Sequence, residues 1–142
     1  MASTLFWQVS ENGIRQVTCV QRVIRSEHGT FLRAPHGKFK VHLTDSSPDE
    51  WEQWLVENRS GKAVFRTLNL PGRYLRALSD GNVDLVSRHP IHCPESIWTP
   101  YRNSDGTWSF LSAHGTWLSA FGNDDVCCKK ECDSSEKFIL WA

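Results

Sequence analysis

His28-Gly29-Thr30-Phe31-Leu32-Arg33-Ala34 is written three times in this chain, with small changes each time. It returns as Pro71-Gly72-Arg73-Tyr74-Leu75-Arg76-Ala77 and as His114-Gly115-Thr116-Trp117-Leu118-Ser119-Ala120. The glycines fall at 29, 72 and 115, so both intervals are 43 residues. A fixed period of this size marks one supersecondary unit used repeatedly, each copy unable to bury its apolar face alone. Three copies in 142 residues leave no room for a second domain, so 1–142 is read as one. It divides into an extension over 1–16 and repeats at about 17–58, 59–103 and 104–142.

Each heptad reads as a turn followed by a strand. The glycine supplies positive φ without a Cβ penalty, and the residues after it alternate in character. Leu32, Leu75 and Leu118 then share a face with Ala34, Ala77 and Ala120, and these six are expected in the core. A second turn follows, at Pro35-His36-Gly37, Ser79-Asp80-Gly81-Asn82 and Phe121-Gly122-Asn123-Asp124. Such Gly- and Asn-containing turns between strand-like runs signal hairpins. The return strands are expected over Phe39–Leu43, Val83–Val86 and Val126–Cys128. Each unit closes on an acid, a spacer and a large apolar residue: Glu52-Gln53-Trp54, Glu95-Ser96-Ile97 and Glu136-Lys137-Phe138. Opening strands are expected around Val17–Ile24, Ala63–Leu68 and Trp108–Leu111.

Four short strands per unit give twelve, and only 49–57 has the look of a helical turn. The predicted class is all-β, a β-trefoil with pseudo-three-fold symmetry. A three-bladed propeller matches the count, but propellers typically need about four blades or more. Residues 4–12 resemble the closing strand and read either as an extra strand on the rim or as one exchanged with a partner chain.

Net charge is zero but unevenly spread. Residues 59–103 hold seven basic against three acidic side chains, a balance of +4, whereas 104–142 stands at −3. Such polarity can steer an acidic partner to the second repeat. The chain opens on no signal-like segment and has no long apolar run, so neither secretion nor membrane insertion is expected. Five cysteines, an odd number, suit a reducing cytoplasm with free thiols.

Chemistry-bearing motifs are sparse. Cys127, Cys128 and Cys132 lack a second pair at zinc spacing, and adjacent strand residues face opposite ways, so no metal or other cofactor is assigned. No nucleophile elbow or phosphate loop is present, and a non-catalytic binding module remains. His28 and His114 occupy equivalent turns and are read as turn caps. Phe31, Tyr74 and Trp117 are read as core before ligand platforms.

The triple Gly-x-aromatic-Leu-x-Ala step, the Gly81-Asn82-Val83 turn and the Glu-x-apolar ending resemble the fascin-type β-trefoil over about residues 17–142. That resemblance implies a cytoplasmic protein that binds actin filaments, as a monomer or a homodimer, with no role for nucleic acid. An acidic filament would dock on Arg73, Arg76 and Arg88, with Arg33 as the match one repeat earlier. The rival is a carbohydrate-binding, lectin-like trefoil using repeat-equivalent pockets. The Gln-x-Trp step of ricin-type trefoils is absent, since none of Gln8, Gln16, Gln21 or Gln53 has Trp two residues on.

Overall fold

A computed structural model of the chain describes residues 18–68, 71–121 and 125–141. The expected strand over 4–12 lies outside them. Strands β1 (Thr18–Ser26), β2 (Phe31–Arg33), β3 (His42–Thr44) and β4 (Gln53–Arg59) form the first unit. The second holds β5 (Lys62–Thr67), β6 (Tyr74–Ala77), β7 (Val83–Val86) and β8 (Thr99–Arg102). The third holds β9 (Trp108–Leu111), β10 (Trp117–Ser119), β11 (Cys127–Lys129) and β12 (Phe138–Trp141).

Six of these strands run round a barrel-like sheet. β1 pairs with β4, β4 with β5, β8 with β9, β9 with β12, and β12 returns to β1, all antiparallel. Between β5 and β8 the ring is bridged by Ala63 and Trp98, whose amides bond both ways at 2.7 and 2.9 Å, and by Lys62 Nζ, which donates to Thr99 Oγ1 at 2.9 Å. The other six strands form three hairpins, β2–β3, β6–β7 and β10–β11. Each is hooked to the ring by a single register pair: Arg25 with Phe31, Arg66 with Tyr74, and Leu111 with Trp117. The hairpin turns also meet one another. Leu85 N–H donates to Phe39 O at 3.1 Å, and Cys128 N–H to Gly81 O at 2.8 Å. Gly81 is strongly favoured there: its φ is +93°, and a Cβ would stand 3.3 Å from the Cys128 carbonyl.

Strand alternation places the core where the repeat predicts it. Leu32, Leu75 and Leu118 are fully buried, with Ala34, Ala77 and Ala120 beside them. Trp54, Trp98, Phe65, Phe110 and Phe138 fill the barrel, Phe65 packing edge-on to Phe110 at 4.9 Å. Two indoles also bind the barrel to its hairpins. Trp54 Nε1 donates to Leu32 O at 2.9 Å, and Trp98 Nε1 to Leu75 O at 3.1 Å.

That equivalence corrects the second unit's closing motif. Trp98, not Ile97, answers to Trp54 and Phe138, so Ser96 stands where the other units have Glu52 and Glu136. Residues 49–57 hold only a three-ten turn, Glu50–Glu52, before β4 begins. The return strands in units one and three start later than expected, at His42 and Cys127, and leave Phe39 exposed. Phe31 and Tyr74 are buried, whereas Trp117 is half-buried against Tyr101, rings 5.2 Å apart.

Candidate functional site

The units differ most where the three-ten turn before each closing strand faces its hairpin. Asp49 and Asp133 open these turns with reciprocal capping boxes. Glu52 Oε1 accepts from Asp49 N–H at 2.7 Å, and Glu136 Oε1 from Asp133 N–H at 2.7 Å. This arrangement satisfies backbone donors that a short turn leaves orphaned. It also holds a buried carboxylate whose second oxygen looks toward the hairpin. Glu136 Oε2 accepts from the Ser119 hydroxyl at 2.5 Å, and Glu52 Oε2 lies 3.4 Å from Arg33 Nε. In the second unit Ser96 supplies no carboxylate and donates to Cys93 O at 2.8 Å. Arg76, at the place of Arg33, forks instead onto Asp84 at 2.9 and 2.7 Å. Such bidentate pairing is strong and directional.

Beside each buried glutamate opens a cleft. In the first unit it measures about 330 Å³, and its walls include Thr44, Ser46, Asp49, Trp51 and Glu52. In the third it measures about 550 Å³, with Phe121, Lys129, Asp133, Ser135 and Glu136 in the walls. Thr44 pairs with Phe31 as Lys129 pairs with Trp117, so the two clefts occupy the same point of the repeat. Each contains an aromatic ring with a cation over it. Arg33 Cζ sits 4.8 Å from the Trp51 ring centre and Lys129 Nζ 3.3 Å from that of Phe121. The cations hold the rings and keep local charge balanced. A concave apolar face with a few fixed polar groups is the usual form of a small-ligand site. Here the polar groups are carboxylates, hydroxyls and the ring-bound cations Arg33 and Lys129, a mixture of donors and acceptors that suits a ligand rich in hydroxyls.

Three of the four arginines assigned from sequence are engaged within the chain. Arg33 and Arg76 are half-exposed and paired as described. Arg73 donates from Nη1 to Lys38 O at 2.8 Å and lies over the Phe39 ring at 3.9 Å. Arg88 stands exposed in the loop after β7. The four do not gather into one cluster; Arg33 borders the first of these two clefts and none of the other three borders either. Trp51, Glu52, Phe121 and Glu136 carry the clefts and were not assigned from sequence. Their available signal was Asp-x-x-Glu at 49–52 and again at 133–136, a capping-box spacing.

The equivalent histidines do more than cap turns. His28 Nε2 meets Ser135 Oγ at 2.9 Å and His114 Nε2 meets Glu95 Oε2, so each fastens its turn to another unit. The five cysteines are free; Cys128 is buried and Cys127 half-buried, on opposite faces of β11. Among the described residues no three His, Cys, Asp or Glu side chains are grouped to hold a metal ion.

No protein-family model matches the chain, and no curated protein does. Among solved structures, the fold is similar to that of SeviL bound to asialo-GM1 saccharide, with a TM-score of 0.74. The match covers 87% of this chain and 98% of that one at 15% identity, which establishes a shared all-β, barrel-like fold.

Proposed function

We propose that this chain is a non-catalytic β-trefoil that binds carbohydrate through the equivalent clefts of its first and third units. The observation that carries the reading is the pair of clefts themselves, each setting an aromatic ring beside a buried, backbone-anchored carboxylate. A sugar ring offers an apolar C–H face and a rim of hydroxyls, and these walls complement both. The ring of six strands, the three hairpins and the 43-residue period support the trefoil assignment. The likeness of fold to a protein solved with a saccharide supports the ligand class. Actin binding, implied by the fascin-type resemblance, has no such support, and three of its four arginines already have partners within the chain.

The test is a glycan array followed by calorimetry with the strongest hit, run beside cosedimentation with filamentous actin. We expect glycan binding, weakened about tenfold in the first cleft by Trp51→Ala, the loss of about 1.4 kcal/mol. Cosedimentation by a protein that recognises no glycan would return the case to the cytoskeletal reading.

A further inference from the structure

We infer that a second, smaller pocket beside the first cleft binds a tetrahedral oxyanion, the sulfate or phosphate ester of an acidic glycan. Ala34, Pro35, His36, Gly37 and Lys38 form one wall, from the turn between β2 and β3. The second unit supplies the other wall, Arg73 foremost, with Thr67, Pro71 and Leu85. The pocket holds about 100 Å³. That is well below the roughly 300–1,000 Å³ of sites that enclose a whole small molecule, and it suits one substituent rather than a ring.

Its chemistry is one-sided. Among the described residues no carboxylate lines it, while Arg73, Lys38 and His36 all do. Arg73 is fixed in place, with Nη1 on Lys38 O at 2.8 Å and its guanidinium over Phe39 at 3.9 Å. Yet Arg73 Nε is buried without an acceptor. A buried N–H left without an acceptor is costly to keep, and an anionic oxygen in the pocket would supply one. Arginine's planar fork is well suited to phosphate-like groups. The surrounding second unit carries the chain's basic excess, so the field draws anions to this side.

Position ties the pocket to the cleft. Arg33 lines the cleft, Ala34 lines the pocket, and Ala34 N–H is bonded to Trp51 O at 2.9 Å. A sugar held at Trp51 could therefore extend an ester across the end of β2. Only this identification of the ester's carrier rests on the proposed carbohydrate function; the oxyanion pocket does not.

Titration of the full chain with inorganic sulfate and phosphate, followed by amide NMR, tests the pocket. We expect a saturable response centred on residues 36–38 and 73, weakened at least tenfold in both Arg73→Gln and Lys38→Met. Lys38→Met keeps the carbonyl that Arg73 grips, so loss of response there is not a folding failure. The carrier is tested with one array hit in unmodified, sulfated and phosphorylated forms. An ester should tighten binding, Arg73→Gln should cancel the gain, and the affinity for the unmodified sugar should hold; the tighter ester identifies the anion. No saturable response, or a response undiminished in both variants, would overturn the pocket. An ester that adds nothing would overturn the acidic glycan as its carrier. Oxyanion binding by a protein that recognises no glycan would sustain the pocket and sink the carbohydrate function.

Discussion

At the scale of single residues, the repeat motif turns out to be a packing motif whose glycines do different jobs. Gly29 and Gly115 adopt the positive φ that the turn requires, at +86° and +77°. Gly72 does not. What meets a side chain there is Arg66, whose Nε would lie 2.2 Å from an added Cβ and whose flexible end would have to move aside. The leucines are uniform, and Leu75 is fully buried under its hairpin. Leu75→Ala should cost about 2–5 kcal/mol, from lost transfer energy and the cavity left behind, measured by urea denaturation. Burial also acts on Cys128, pushing its thiol from 9.0 up to about 12. A folded pKa above the unfolded one favours the native state fully at pH below about 9. That contribution is lost as pH rises from there toward 12. Cys128→Ala should therefore flatten the alkaline limb of the stability profile between pH 9 and 11 in thermal melts. In the native protein the Cys128 thiol should also alkylate more slowly than exposed Cys19.

At the scale of elements, the capped three-ten turns are where the three units part company. Glu136 holds the Asp133 amide and the Ser119 hydroxyl at once, at 2.7 and 2.5 Å. Glu136→Ala strips both, and leaving buried donors unpaired costs about 1–3 kcal/mol. Ser96→Ala removes only one neutral bond, to Cys93 O, and should cost about 1 kcal/mol or less. Thermal unfolding of the two variants side by side checks the order. The contrast also shows how far the sequence could be read. Glycine spacing and apolar alternation made the strands, the hairpins and the buried Leu and Ala pairs legible, because backbone turns and one-sided burial both leave periodic marks. The closing motif of the second unit was misaligned by one residue, because Glu95 imitates a carboxylate position that Ser96 occupies in space. The clefts were harder still to see. Their walls come from residues as far apart as Arg33 and Glu52 in the first unit, joined only when the hairpin folds over the turn, and no local period records that meeting.

At the scale of the whole molecule, charge and repetition are both uneven. The first and third units keep the buried glutamate, while the second trades it for an Arg76–Asp84 pair and the chain's basic excess. A three-part frame therefore presents two similar clefts and one electropositive flank, which is how a symmetric scaffold acquires a direction. The arginines chosen from sequence were chosen by charge, and charge says nothing of which guanidiniums are already spoken for, since ion pairs such as Arg33–Glu52 form across the turn of a fold. The join between β1 and β12 has a temporal side. Ser26 pairs with Phe138 and Val23 with Trp141, so one flank of the first strand stays without its partner until β12 has been made. At about 5–20 residues per second, a ribosome takes on the order of 10 s to cover that interval. During that wait β4 can cover only the other flank, and the nascent chain carries an open strand edge that chaperones, or a neighbouring copy on the same messenger, could reach first.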